Sequence, residues 1–146
     1  MLFTEQLRAF AHKTDKRLNS VVKKIVFDIS SKLVLRSPVG DASYWIKPAP
    51  KGYVGGRFRG NWQYGLGSIN SHTDETTDKG GGKTTVRISK AIPSQAIGKI
   101  HFITNSLPYA IRLEQGHSKR QAPNGMVRLT QIEFDVIIRQ AAAELV

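Results

Sequence analysis

The 146-residue sequence lacks cysteine altogether, has few acidic residues and contains no long apolar run. Without cysteine there is no disulfide framework, no thiolate nucleophile and no Cys-ligated zinc, a composition that suits a reducing cytoplasm. The longest apolar runs, such as residues 25–27, are far shorter than the roughly 20 residues of a membrane-spanning helix. The N-terminal sequence MLFTEQLRAF also lacks the basic flank and apolar stretch of a signal peptide. These absences predict a soluble protein that is made in the cytoplasm and does not enter a membrane.

Basic residues outnumber acidic ones, with 22 Lys and Arg against 11 Asp and Glu, so the net charge is +11. The chain has the length of one domain and 40% apolar residues, which predicts a single folded core. A basic surplus of this size predicts an acidic partner, either a nucleic acid or an acidic protein surface.

Residues 4–36 carry the apolar period of an amphipathic helix, and no glycine or proline intervenes before Pro38. Such a helix would be about 50 Å long, more than the width of a domain of this size, so part of it is expected to pack outside its own domain. The polar stretch at residues 12–17 leaves open two shorter helices with a bend. Eight basic and three acidic residues give the segment a charge of +5. That charge fits either a solvated face or a docking face for an acidic partner.

Residues 38–60 have a different composition, with three prolines, five glycines and four aromatic residues. Long loops inside small domains are usually functional or mobile, and aromatic residues indicate that this one is ordered against something. We assign residues 37–61 to an extended Pro/Gly-rich segment, called the arm below.

The rest of the chain mixes strand and helix patterns. Strands are predicted at residues 61–69, 84–89 and 99–105, with a flexible polar loop at 68–83. A short helix at 107–115 is expected to end at Gly116. The segment HSKRQAPNG, residues 117–125 and called the basic turn below, then leads to a terminal helix whose apolar residues run from Val127 to Leu145. The predicted fold class is α+β, a small antiparallel sheet of three or more strands packed with a long N-terminal helix and a C-terminal helix. We divide one domain, 1–146, into the helix (1–36), the arm (37–61), the strands (62–106) and the short helix, basic turn and C-terminal helix (107–146).

The sequence contains no convincing catalytic motif. Gly80-Gly81-Gly82-Lys83-Thr84 is similar to the end of a phosphate-binding loop, but Thr77 stands where that loop requires glycine and a β-branched run follows where a helix is required. We therefore expect a mobile hairpin tip there. The four histidines lack metal-ligand spacing, and the adjacent His117 and Ser118 lack the context of a nucleophile. We predict a protein that is not an enzyme and uses no cofactor or metal.

Basic and aromatic residues alternate at Arg57-Phe58-Arg59, with Trp62 close behind, and Lys119-Arg120 form a second basic cluster. This interleaving can grip phosphates and stack bases, although no recognition-helix, zinc-finger or RNA-sheet signature accompanies it. The alternative is that Phe58 and Trp62 lie in the core while the arginines pair with acidic groups of a neighbour.

Two blocks resemble a known family. They are SPVGDASYWIKPAPKGYVGGRFRGNWQ, residues 37–63, and ITNSLPYAIRLEQGHSKRQAPNGMVRLT, residues 103–130. Together they resemble the neck or tail-completion proteins of long-tailed bacteriophages. In that family a proline-valine turn precedes a glycine-arginine-aromatic-arginine segment and a tryptophan. A proline-tyrosine-alanine step, a glutamate-x-glycine and a Ser-Lys-Gln-Ala-Pro turn follow. Here Arg120 is inserted between Lys119 and Gln121 of that turn.

The resemblance implies a structural virion protein that forms a ring at the head–tail junction and joins head and tail around the DNA passage. Such a protein would be assembled in the host bacterial cytoplasm as a cyclic homo-oligomer of six-fold or twelve-fold symmetry. Its partners would be other head–tail junction and tail proteins, with at most non-specific contact to DNA and no membrane. A tail-terminator ring and a basic nucleic-acid-binding module remain the alternatives. The candidate interface residues are Tyr44, Trp45, Tyr53, Arg57, Phe58, Arg59, Trp62, Tyr109, Glu114, His117, Lys119 and Arg120.

Overall fold

The longest element is α1, Phe3–Arg36, one continuous helix of 34 residues in the computed structural model, which describes residues 3–144. At 1.5 Å per residue its length is about 51 Å. The unbroken helix decides against two shorter helices. Polar side chains around the predicted gap are accommodated within the helix, because the Thr14 hydroxyl donates to the Phe10 carbonyl at 2.9 Å and the Ser20 hydroxyl donates to the Lys16 carbonyl at 3.0 Å.

The remaining described elements are short. They are a 3-10 turn at Ala42–Tyr44, α2 (Arg57–Gly60), β1 (Trp62–Leu66), α3 (Gly82–Ala91), β2 (His101–Asn105), α4 (Ala110–Glu114), α5 (Val127–Ile132) and α6 (Phe134–Glu144). β1 and β2 pair antiparallel, with Trp62 opposite Asn105 and Leu66 opposite His101. The predicted α+β class, with a long N-terminal helix, is confirmed. None of the described helices combines the length and apolarity required to cross a bilayer.

The predicted strand at residues 84–89 is wrong, because α3 occupies this stretch. Thr84 and Ile88, four residues apart, are buried on one face of this helix. The sheet of the described chain therefore has two strands rather than three or more. The glycines at this point are likewise not a hairpin tip, since Gly81 is the N-cap of α3, with a φ of 80°, and Gly82 is the first residue of the helix.

Two further boundaries differ from the sequence predictions. The C-terminal helical pattern divides into α5 and α6 at Glu133, whose carboxylate binds Lys32 at 3.0 Å and Arg36 at 2.6 Å on α1. Leu145, assigned to the terminal helix, lies outside the described residues. The arm is also shorter than predicted, because its last residues form α2 and enter the core. The short helix at 107–115 is observed as α4, and Gly116 follows it with a φ of 86°.

The core lies between the C-terminal half of α1 and the shorter elements. Its buried residues are Val26, Leu33, Val34, Phe58, Trp62, Tyr64, Ile88, Ile92, Leu107, Ala122 and Met126. The Trp62 indole nitrogen donates to the Ser37 hydroxyl at 2.6 Å, and that hydroxyl donates to the Leu33 carbonyl, so β1 is joined to the end of α1. At the other side of the core, the Asn19 side chain accepts from the Ile97 amide at 2.9 Å. Asn19 is the first buried residue of α1, and every residue from 3 to 18 is exposed.

Candidate functional site

A cleft of about 1320 Å³ opens between residues 38–54 of the arm and the surface formed by α2, α4 and the basic turn. Its lining combines aromatic, basic and polar side chains, including Tyr44, Trp45, Tyr53, Arg57, Tyr109, Arg112, His117 and Gln121. Concave surfaces that mix apolar walls with a few polar groups are the usual places for ligands or partners. Most of the predicted interface residues therefore lie at one place.

The arm is held against the domain by two neighbouring residues of the basic turn. The Gln121 side-chain amide donates to the Val39 carbonyl at 2.7 Å and its oxygen accepts from the Val39 amide at 2.7 Å. The Arg120 guanidinium lies over the Tyr44 ring, 4.6 Å from the centroid, within the range of a cation–π contact. These contacts order the arm within its own chain.

The front of the cleft is aromatic. Trp45 and Tyr53 pack edge to face with their ring centroids 5.0 Å apart. The Tyr53 hydroxyl lies where a side chain on Gly40 would stand, so a larger residue there would displace the Tyr53 ring. Tyr44 and Trp45 remain exposed, and Ile46 at the tip of the arm is fully exposed.

The base of the cleft is part of the core. Phe58 packs against Trp62 and Tyr109, in both cases with ring centroids 5.9 Å apart. Phe58 is 5% exposed and Trp62 is 4% exposed. The assignment of these two side chains to an intermolecular interface is therefore corrected, whereas Tyr109 is half-buried and lines the cleft. Burial raises the pKa of the Tyr109 hydroxyl.

The two arginines of the Arg57-Phe58-Arg59 motif have different surroundings. Arg57 faces the cleft, forms an ion pair with the exposed Glu75 at 3.1 Å and donates to the Asp74 carbonyl at 3.0 Å. Arg59 points the other way and donates to the carbonyls of Leu35, Ser37 and Lys79. Its guanidinium thus satisfies carbonyls at the C-terminal end of α1, where helices leave acceptors without intrahelical partners. These hydrogen bonds give Arg59 a role within its own chain, and its place in an interface stays a prediction.

Glu114 also has an internal role. Its carboxylate accepts hydrogen bonds from the amides of Met126, Val127 and Arg128, each at 2.9 Å, at the start of α5. Burial favours the neutral acid, but these hydrogen bonds outweigh it and hold the pKa of Glu114 below its ordinary value. The side chain therefore holds α4 and α5 together, and the interface assignment of Glu114 stays a prediction. His117, Lys119 and Arg120 are exposed on the turn between them.

The glycine-rich motif before α3 has its anion site filled from within the chain. One Asp78 oxygen accepts from the Gly81 amide at 3.0 Å, and the other accepts from the amide and hydroxyl of Thr84, both at 2.8 Å. A helix does follow the glycines, contrary to the sequence prediction, but a carboxylate occupies the position that a bound phosphate would need. The motif is therefore a helix cap.

The Asp78 cap predicts an acid-sensitive contribution to stability. Burial raises the pKa of Asp78, but the hydrogen bonds from Thr84 and Gly81 lower it by a larger amount. The pKa therefore lies below the ordinary value of 3.8. A depressed folded-state pKa adds stability above the unfolded-state value and loses it as the pH falls through the folded-state value. We expect Asp78→Ala to lower the free energy of unfolding by about 1–3 kcal/mol at pH 7. The difference from the wild-type chain should shrink below about pH 4 in urea titrations.

Asp135→Ala is the matched control for Asp78→Ala, because Asp135 is an exposed acid near the start of α6. This control should change the unfolding free energy by less than about 0.5 kcal/mol. Equal stabilities of Asp78→Ala and the wild-type chain at pH 7 would contradict the capping role.

Other titratable clusters are small. His72 and Asp74 form an exposed pair with a nitrogen-to-oxygen distance of 3.0 Å, and hydrogen bonds from Thr76 and His72 lower the pKa of Asp74 to about 2. Among residues 3–144, no group of three His, Asp or Glu side chains is placed to hold a metal ion.

Several residues of the cleft did not stand out in the sequence. Gln121 contacts Val39 across 82 residues, and no local pattern indicates such a pair. Arg112 and Glu75 line the cleft although nothing in the sequence singled out either residue. A scan against protein-family models and searches of curated proteins and solved structures find nothing that matches this chain.

Proposed function

We propose that the chain is a structural protein that forms a ring at the head–tail junction of a long-tailed bacteriophage and acts there by adhesion between subunits. The observation that carries this proposal is the exposed first half of α1, residues 3–18, called the projecting segment below. It extends about 24 Å before the buried Asn19. Because these residues are exposed in the single chain, the projecting segment adds no buried side chain to the core of its own domain.

The projecting segment carries large apolar side chains on a helical spacing. Phe3 is 73% exposed, Leu7 50%, Phe10 70% and Leu18 47%. Spacings of four and three residues place the first three of these on one face of the helix. Clustered apolar exposure of this kind marks a protein-interaction surface. A structural role in an assembly is therefore favoured over an isolated domain.

The basic charge is consistent with assembly next to acidic neighbours and DNA. The exposed basic turn carries Lys119 and Arg120, while Arg59 is held by carbonyls and Arg57 pairs with Glu75. Arg120 in turn lies over the Tyr44 ring, so three of the four basic residues that favoured a nucleic-acid module have contacts within the chain. Of the DNA contacts that a nucleic-acid-binding module could make, non-specific contact through exposed basic residues agrees best with this arrangement.

Electron microscopy tests the proposed function. Purified protein at high concentration should form rings of six or twelve subunits. A map of the phage particle that encodes the chain should place it between the head vertex and the tail. A chain that is monomeric in solution and absent from the particle would contradict the proposal. Tight duplex DNA binding that persists at 200 mM salt would support the nucleic-acid module instead.

A further inference from the structure

We propose that the projecting segment of one subunit inserts its Phe3–Leu7–Phe10 face into the cleft of the next subunit, and that this contact closes the ring. The inference rests on the proposed ring and specifies its subunit contact. The two surfaces involved are separate features of the chain, one a projecting ridge and the other a concave site.

The dimensions of the two surfaces agree. A helix with its side chains is 10–12 Å wide and rises 1.5 Å per residue, so it fills about 120–170 Å³ per residue. The cleft of about 1320 Å³ therefore holds about 8–11 helical residues. Residues 3–10, which contain all three side chains of the apolar face, have this length.

The charges favour entry of residues 3–10, called the tip below, and not of residues 11–18. Residues 3–10 contain one acidic and one basic residue, whereas residues 11–18 contain three basic residues and one acidic residue. The walls of the cleft carry a basic surplus, Lys47, Arg57 and Arg112 against Asp41 and Glu75. The neutral tip meets no net repulsion there, while the net charge of +2 on the next turns is better placed outside the cleft.

The occupant must come from another copy. The cleft begins at Pro38, two residues after α1 ends at Arg36, whereas Phe3 lies at the opposite end of the same continuous helix, about 50 Å away. A subunit therefore cannot place its own tip in its own cleft. A contact that joins two different surfaces of identical subunits is heterologous, and it closes into a ring when the rotation permits.

Two double variants test the two sides of the contact separately, one in the projecting segment and the other in the cleft. Phe3→Ser with Phe10→Ser removes the apolar face of the tip, and Trp45→Ala with Val54→Glu changes the cleft. All four residues are exposed and lie outside the core, so each variant should keep the circular dichroism spectrum and melting temperature of the wild-type chain. Each variant alone should self-associate at least 100-fold more weakly than the wild-type chain in analytical ultracentrifugation.

A mixture of the two variants gives the sharpest result. The tip variant retains a normal cleft and the cleft variant retains a normal tip, so the 1:1 mixture should form dimers that cannot extend into rings. Ile132→Ser, which changes an exposed apolar residue that does not line the cleft, should assemble like the wild-type chain. Rings formed by either variant alone, a mixture that stays monomeric, or a wild-type chain that stays monomeric at about 1 mM would overturn the proposed contact.

The same experiment distinguishes this contact from the proposed function. Rings that persist in both variants would remove the tip-and-cleft contact and leave the ring itself intact. Rings that depend on both surfaces but are absent from phage particles would keep the contact and remove the head–tail role.

Discussion

Replacing Arg59 with alanine is expected to lower the free energy of unfolding by about 2–4 kcal/mol, because the guanidinium alone joins three separate carbonyls. It donates to the Leu35 carbonyl at 3.0 Å, to the Ser37 carbonyl at 2.7 Å and to the Lys79 carbonyl at 2.6 Å. Leu35 lies in the last turn of α1, so the substitution leaves a helix-end acceptor without its partner. The melting temperature should fall by roughly 10 °C for a domain of this size.

Arg57→Ala is the matched control, since it removes the same side chain two residues earlier. Arg57 pairs with an exposed glutamate and donates to one carbonyl, so its loss should cost less than about 1 kcal/mol. Thermal and urea unfolding of the purified variants measure both effects. If Arg59→Ala retains wild-type stability but loses subunit association, Arg59 acts in an interface and the intramolecular role is wrong.

Local periodicity was sufficient to predict part of the fold. α1 could be predicted because a 3.6-residue apolar period continues for more than thirty residues without proline or glycine. The paired segments around Trp62 and His101 were also predicted as strands. In these elements the residue pattern and the tertiary packing agree.

α3 could not be predicted in the same way. The segment from Thr84 to Ser89 alternates like a strand and also spaces Thr84 and Ile88 like a helix. The Asp78 cap favours the helix, and it depends on a loop that brings this carboxylate to amides three and six residues away. Tertiary structure thus outweighed a local preference for strand.

The candidate site, like the fold, was predictable from the sequence in part and depends in part on tertiary contacts. Aromatic and basic residues of the arm and the basic turn were expected to be functional, and Tyr44, Trp45, Tyr53, Arg57, Tyr109 and His117 do line one cleft. Arg59 was expected to pair with acidic groups of a neighbouring subunit, and Glu114 was assigned to an interface from the resemblance to the phage family. Their actual partners are backbone carbonyls and amides, which no pattern of side chains can reveal.

Glu114→Ala is expected to destabilise the chain by about 2–4 kcal/mol, because one carboxylate accepts from three successive amides at the start of α5. The substitution leaves those amides without acceptors. It also removes the Glu114 Oε1 atom that packs against Gly125, 2.6 Å from where a Cβ on that glycine would stand. Glu133→Ala is the comparison, since Glu133 binds Lys32 and Arg36 through a partly exposed carboxylate, and this substitution should destabilise the chain clearly less than Glu114→Ala.

Glu114→Gln separates charge from shape in this cap. The amide keeps one oxygen acceptor but turns an N–H donor toward backbone N–H groups, so we expect a loss in unfolding free energy close to that of alanine. Hydrogen exchange should show faster exchange at the Met126, Val127 and Arg128 amides in both variants, because alanine removes the acceptor and glutamine leaves one oxygen for three amides. Gln121, which binds Val39 of the arm, lies in the loop whose two ends are joined by the hydrogen bond between Glu114 and Met126. A weakened cap should therefore also loosen the cleft and reduce ring formation. Wild-type stability in both variants, with unchanged exchange at these three amides, would show that α5 begins without this carboxylate.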